Sequence, residues 1–146
     1  MSIQVKMRID KEELQDVWIS DFGGEIIIKV DGRVLFQSGV DVTHFWIIFI
    51  DMIKTFMEKE KKTTKGYYNI DFCIEKAKKK DEIIFSIECD EGRFRLSPVR
   101  LNKKEFFEKS LDCAISNYRE LAKLDKDNEW GCNEEIQRIL ELKKLL

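Results

Sequence analysis

The side chains that could do covalent or acid–base chemistry are few and scattered. The chain of 146 residues contains one histidine, His44, and four cysteines, at positions 73, 89, 113 and 132. No two cysteines form a Cys-x-x-Cys pair, and no second histidine lies one helical turn from His44. The spacings of zinc ribbons, thioredoxin-like redox sites and helical zinc pairs are therefore missing. We expect no metal, no cofactor and no catalytic residue.

A cysteine or an aspartate acting together with His44 is the alternative that spacing does not exclude, because such partners meet in space. Asp41 lies one turn before His44 and could accept a hydrogen bond from it. Each cysteine, however, falls in a segment with a buried pattern, and buried thiols are unreactive. Only Cys132, beside a predicted helix start, could have a lowered pKa. We favour a His44 that packs against aromatic side chains, in a protein that is not an enzyme.

An acidic stretch beside a tryptophan is the first candidate binding feature. Asp125, Asp127 and Glu129 alternate along a polar segment that ends in Trp130. The alternation is similar to the start of a calcium-binding loop, but Trp130 stands where that loop needs glycine. A tryptophan in an irregular segment is often the anchor for a protein partner, and capping of the core is the competing interpretation. We predict that Asp125, Asp127, Glu129 and Trp130 contact a protein partner.

The second candidate feature is a basic zone, residues 54–80. The whole chain has 26 basic and 28 acidic residues, but residues 52–80 carry nine lysines and only four acidic residues. With Tyr67 and Tyr68 nearby to stack on bases, this zone could contact nucleic acid. The zone lacks arginine, which favours a lysine-rich helix end and hairpin tip that are only solvated. A nucleic-acid-associated or regulatory module is therefore the alternative function, and we consider a nucleic-acid partner the weaker choice.

Alternating and helical patterns predict the elements of the first half of the chain. Apolar side chains at every second position from Ile3 to Ile9 are typical of a half-buried strand. Asp31-Gly32 between two β-branched runs predicts a tight hairpin, because both turn positions favour positive φ. The predicted elements are a strand at 3–9, a helical turn at 11–16, a hairpin at 25–37, a helix at 45–56 capped by Asp41 or Thr43, and an exit loop at 63–66.

The same patterns predict the second half. Asn102 followed by Glu105 resembles a capping box and marks the start of a long helix. Pro98 is expected to end the strand before it. The predicted elements are strands at 68–74, 83–89 and 94–98, a lysine-rich hairpin tip at 76–81, a turn at 90–92, a helix at 102–124, a polar loop at 125–130 and a helix at 133–146.

These elements predict a single α+β domain spanning residues 1–146. Strands joined by short turns must pair antiparallel, so we expect an antiparallel sheet of about six strands with helices mainly on one face, in the order βββαβββαα. No basic leader followed by an apolar run opens the sequence, and the strongest apolar run, 45–50, has six residues. We therefore expect a cytoplasmic protein with reduced thiols and no membrane contact.

One block of the sequence resembles a known family. From Gly24 it reads Gly-Glu-Ile-Ile-Ile-Lys-Val-Asp-Gly-Arg-Val-Leu-Phe, and the following helix opens with Asp-Val-Thr-His-Phe-Trp. This block, with the later Asp-Glu-Gly turn and the helix from Asn102, looks like small Gram-positive immunity proteins of polymorphic toxin systems, which are contact-dependent or wall-associated. The resemblance implies a rigid, non-catalytic α+β module that neutralises a cognate bacterial toxin domain by binding it directly. It assigns no role to any single residue.

Overall fold

Two antiparallel sheets and three α-helices form the part of the chain that the computed structural model describes, residues 1–13, 22–89 and 95–146. The elements are β1 (Ile3–Glu13), β2 (Phe22–Val30), β3 (Arg33–Asp41), α1 (Val42–Lys59), β4 (Thr63–Tyr67), β5 (Ile70–Lys76), β6 (Glu82–Cys89), β7 (Arg95–Asn102), α2 (Lys103–Leu124), a 3₁₀ turn (Lys126–Asn128) and α3 (Glu129–Lys143). The sheets have the orders β1-β2-β3 and β4-β5-β6-β7. The α+β class and the antiparallel pairing are confirmed. The expected sheet of about six strands is instead two sheets, and the observed order is βββαββββαα.

The two sheets meet through side chains. Phe36 of β3 and Phe72 of β5 make an edge-to-face contact with ring centroids 5.6 Å apart. The backbone N–H of Asp41, which ends β3, donates to the hydroxyl oxygen of Tyr67, which ends β4, over 2.8 Å. The chain enters α1 directly after β3, and α1 then lies against strands of both sheets. Because β3 and β4 are not paired within the described residues, the first sheet ends at β3.

Strand β4 replaces the exit loop predicted at 63–66. The segment lacks an apolar alternation, but Thr63 and Tyr67 are buried and point to the same side of the strand. Lys65 lies between them and forms an ion pair of 2.9 Å with Asp51 of α1. The sequence did not predict this strand, because threonine, lysine and glycine fill residues 63–66, where alternating apolar residues would indicate a strand.

Strand β7 continues through Pro98, where an end was predicted. The register with β6 shifts between Phe85 and Ile87, so that Pro98 falls in an irregularity of the ladder. A bulge leaves a residue unpaired, and proline is tolerated there because it has no N–H to donate. At the other end of the chain, the helical turn predicted at 11–16 is also wrong for residues 11–13, which continue β1. The remainder of that turn and the turn at 90–92 lie outside the described residues.

Two local predictions are confirmed. Asp31 and Gly32 both have positive φ, 50° and 80°, as the tight hairpin between β2 and β3 requires. Asn102 caps α2, since its Oδ1 accepts the backbone N–H of Glu105 over 2.9 Å. Glu105 Oε1 in turn accepts the N–H of Ile3 over 3.0 Å. The cap therefore connects the start of α2 to the start of β1.

One cluster of buried side chains includes members of all three helices and both sheets. Phe45 and Phe49 of α1 stack at 5.1 Å and both meet the ring of Phe72. Helix α2 packs on β1 and β7, and α3 packs on α2. The indole N–H of Trp46 donates to Asn117 Oδ1 of α2 over 2.7 Å, which satisfies both buried polar groups.

Candidate functional site

The four predicted contact residues lie together where α2 turns into α3. Asp125 ends α2, and its N–H donates to the carbonyl of Leu121 over 2.9 Å. The 3₁₀ turn follows, and α3 begins at Glu129. The polar loop predicted at 125–130 is therefore wrong at its end, because Glu129 and Trp130 belong to the first turn of α3. An acidic residue such as Glu129 is favourable there, next to the positive end of the helix dipole.

Trp130 is the most exposed large apolar side chain of the described residues, with 74% of its surface accessible. Asp127 and Glu129 beside it are also exposed, whereas Asp125 is partly buried. Further along α3, side chains at helical spacing share the outer face with Trp130 and are exposed. We name the acidic surface as Asp127, Glu129, Trp130, Glu134 and Glu141.

The charge of this region is negative after its cations are counted. Residues 125–143 contain six acidic and three basic side chains. Each of the three cations already lies beside a carboxylate: Lys126 beside Glu129, Arg138 beside Glu135 and Lys143 beside Asp112. The pairs are solvent-exposed and contribute little to stability. Among the described residues, Asp127, Glu134 and Glu141 of the acidic surface have no partner cation within 4 Å, and their charge is what an approaching molecule meets.

A pocket of about 270 Å³ opens behind the acidic surface, and we name it the turn pocket. Asp125, Gly131 and Cys132 supply one wall, and Thr43 and Ile47 of α1 supply another. Phe22 also lines it from the start of β2, where it is buried.

An apolar groove of about 720 Å³ continues from the turn pocket between α1 and α3. The two share Ile47 and Glu135, and Ile47 is 54% exposed despite its place in the middle of α1. Ile139 and Leu142 line the α3 side of this groove, and charged side chains form its rim. Sequence reasoning missed the groove, because the all-round apolar pattern of α1 predicts a helix that is covered on both sides.

The thiols of this region are poor nucleophiles. Burial raises the pKa of Cys132, and the carboxylates of Asp125 and Glu135 raise it further. Burial also raises the pKa of Cys113 from 9.0 to about 12, against a smaller lowering by a backbone hydrogen bond with Met7. The pKa of Cys132 is thus raised, whereas its position beside a predicted helix start suggested a lowered pKa. Both thiols remain protonated at neutral pH.

Comparisons with known proteins give no relative. No protein-family model matches the chain. Neither a curated protein nor a solved structure matches it. The likeness to immunity proteins therefore depends on the sequence block described above. In the described residues, no His, Cys, Asp and Glu side chains gather in threes to hold a metal ion, and none of the helices there has the length and apolar character to cross a membrane.

His44 occupies an exposed position on the first turn of α1. Its ring lies 5.1 Å from the ring of Tyr67 and 5.3 Å from that of Tyr68. The Asp41 carboxylate accepts a hydrogen bond from the Tyr68 hydroxyl. This agrees with the expected packing of His44 against aromatic side chains. Cys132 lines the turn pocket and Asp41 lines a separate pocket of about 550 Å³, and His44 lines neither.

The basic zone 54–80 does not form one surface. Lys54 lies at the rim of the α1–α3 groove, Lys62 approaches Glu75 at 3.8 Å, and Lys65 pairs with Asp51. Tyr67 and Tyr68 end β4 and begin the turn into β5, whereas the lysine-rich tip joins β5 to β6 at the opposite end of the sheet. The tyrosines are therefore not placed to stack on bases held by the hairpin-tip lysines.

Proposed function

We propose that this is a non-catalytic binding protein of the cytoplasm that neutralises a cognate bacterial toxin domain by direct contact. The observation that carries the proposal is Trp130, 74% exposed on the first turn of a helix and surrounded by carboxylates. Burying an exposed indole against a partner is favourable, because it removes apolar surface from water. A partner that covers the Trp130 ring would therefore bind more tightly than one that leaves the ring in water.

The acidic surface determines which partners fit. Its carboxylates would attract a toxin domain that presents a basic face, and they would slow the approach of acidic proteins. Charge of this kind mainly raises the association rate, while a buried tryptophan mainly lowers the dissociation rate. The turn pocket, which is lined by Gly131 and Cys132 directly after Trp130 in the sequence, offers a recess for a side chain of that partner.

Co-expression with the toxin domain encoded by the neighbouring gene tests this proposal. The wild-type protein should restore growth and should bind the purified toxin domain. Trp130→Ala should weaken binding at least 30-fold, because removing an aromatic anchor costs about 2 kcal/mol or more. Val34→Ala is the matched control, since Val34 is apolar and 51% exposed but lies on β3. A neighbouring gene whose product does not inhibit growth contradicts the proposed function.

Reversing the charge of the carboxylates beside Trp130 distinguishes their effect on the association rate from the effect of Trp130 on affinity. Asp127→Lys with Glu129→Lys should lower the association rate at low salt, with a smaller effect at high salt. Glu58→Lys with Glu88→Lys makes the same charge change at two exposed positions away from α3 and should have a much smaller effect. If Trp130→Ala and both double variants bind and protect as well as the wild type, the acidic surface is not the contact surface.

A further inference from the structure

Five lysines from two distant parts of the chain meet at one end of the four-stranded sheet. Lys78, Lys79 and Lys80 lie in the turn between β5 and β6, and Lys103 and Lys104 begin α2. The register of β6 with β7 places Glu82 opposite Asn102, so the hairpin tip and the start of α2 are neighbours. We name these five residues the lysine end.

Backbone contact holds the two parts together. The N–H of Lys103 donates to the carbonyl oxygen of Asp81 over 2.8 Å. A cleft of about 340 Å³ between them is lined by Lys80, Asp81, Lys103 and Lys104. Four of the five lysines are exposed, and Lys103 is half-buried. Lys104 approaches Glu108 at 4.0 Å, and the described residues place no carboxylate within 4 Å of the other four ammonium groups.

Stability does not account for the lysine end. Lys59 in the last turn of α1 is favourable, because a cation there faces the negative end of the helix dipole. Lys103 and Lys104, by contrast, lie at the N-terminus of α2, where the positive end of the helix dipole repels cations. Bringing Lys80 beside them adds repulsion between like charges. Asp81 in the cleft and Glu105 in the first turn of α2 offset part of this repulsion. The ammonium groups still outnumber the carboxylates there, which points to an anionic ligand.

The composition of the lysine end indicates the class of that ligand. Protein interfaces are depleted in lysine and depend on tryptophan, tyrosine and arginine, and the lysine end contains none of these. Leu145 shares a pocket with Lys103 and Lys104, but one exposed leucine is too small an apolar area for insertion into a bilayer. Lysine ammonium groups without arginine contact phosphates as point charges and do not read base edges.

We propose that the lysine end binds the phosphate backbone of nucleic acid without reading its sequence. This proposal does not depend on the proposed function, and it involves a different surface. Contact of all five lysines with phosphates would give a slope of about −4.5 for the logarithm of the association constant against the logarithm of salt concentration. The tyrosines play no part, so affinity should not depend on base composition.

Fluorescence anisotropy with labelled 20-base-pair duplexes of two unrelated sequences tests the proposal. The wild type should bind both equally at 50 mM salt, with a dissociation constant of about 1–100 µM. The variant K78Q/K79Q/K80Q/K103Q/K104Q should bind at least tenfold more weakly, with a salt slope shallower by about two or more. The matched control, K6Q/K11Q/K54Q/K123Q/K144Q, removes five exposed lysines elsewhere and should bind within about threefold of the wild type.

Several results would overturn the proposal. Undetectable binding by the wild type, or equal losses in the two variants, would show that the lysine end is not a binding surface. Tighter binding to anionic phospholipid vesicles than to duplex would assign it to membranes. Displacement of duplex by micromolar tripolyphosphate would assign it to small polyphosphates. Thermal unfolding checks that the five-lysine variant is folded. Its melting temperature should equal or exceed that of the wild type, because Lys103 and Lys104 no longer oppose the helix dipole.

Discussion

Glycine-to-alanine substitution should have opposite effects at two positions of this protein. Gly24 is buried in β2, the central strand of the first sheet, and pairs with Ile9 on one side and Val40 on the other. A Cβ atom added there would lie 2.4 Å from the carbonyl oxygen of Arg8 and 2.8 Å from a methyl carbon of Val42. Val42 is the first residue of α1, so the missing side chain is what lets the helix start press against the sheet.

The cost of Gly24→Ala follows from these contacts. Real Cβ atoms essentially never approach within 3.0 Å of such atoms, and the nearest obstacle is backbone, which cannot swing away. Either β1 or the start of α1 must move, and overpacking of this kind costs about 1–3 kcal/mol. The lower chain entropy of the unfolded alanine variant offsets about 0.4–1 kcal/mol of that. We expect a net loss of about 1–2 kcal/mol.

Gly131→Ala is the control with the opposite sign. Gly131 lies in α3 and is exposed, and an added Cβ would meet no atom within 4 Å. Alanine is about 1 kcal/mol more favourable than glycine in a helix interior and less so in the first turn, where Gly131 lies, so this variant should be stabilised by about 0.5 kcal/mol.

Urea unfolding at constant slope measures both changes, and in a chain of 146 residues each 1 kcal/mol should shift the melting temperature by about 3 °C. Wild-type stability in Gly24→Ala, or destabilisation by Gly131→Ala, would refute the packing described here.

Two further predictions concern the interior. Asn117→Leu should lower the free energy of unfolding by about 1–3 kcal/mol, because it leaves the buried indole N–H of Trp46 without its acceptor. A double-mutant cycle with Trp46→Phe, measured by urea unfolding, should show a coupling energy of about 1 kcal/mol. Additive effects of the two substitutions would mean that this hydrogen bond makes no specific contribution to stability. Burial raises the pKa of the Cys113 thiol from 9.0 to about 12. Between these pH values the unfolded chain loses the thiol proton while the folded chain keeps it. The contribution of the thiol to the free energy of unfolding is therefore complete below pH 9 and falls as the pH rises towards 12. Cys113→Ala should therefore lose less stability than the wild type between pH 8 and pH 10, and equal losses would show that the thiol is not shielded.

Patterns within one element predicted local structure well. The Asp31-Gly32 turn and the Asn102 cap depend on a few adjacent residues, and both are present as expected. The helical spacing after Asp41 likewise found α1. Strand β4 was missed because its burial comes from Thr63 and Tyr67, which pack on neighbours that no local pattern reveals. The two sheets divide between β3 and β4, which α1 separates in the sequence and which do not pair within the described residues.

The candidate site also separates local features, which the sequence predicted, from features that join distant residues, which it did not. The sequence predicted Asp125, Asp127, Glu129 and Trp130 as partner contacts, and the structure places these adjacent residues at the α2–α3 junction. That proximity does not test whether they bind a partner. The α1–α3 groove and the lysine end were not foreseen, since each joins residues that are far apart in sequence. A basic zone counted along the chain included Lys54 and omitted Lys103 and Lys104.

Helix α2 separates the lysine end from Trp130. It has 22 residues and a length of about 33 Å, with the lysine end at its start and Asp127, Glu129 and Trp130 beyond its end. Glu141 lies nearer the lysine end, because α3 packs back along α2. The length of α2 is about four Debye lengths at physiological salt, so charge at its start barely affects an encounter at Trp130. Loss of toxin binding by the lysine variant, or of duplex binding by Trp130→Ala, would therefore require a conformational link through α2. Independent losses are what rigid packing of α2 on β1 and β7 leads us to expect.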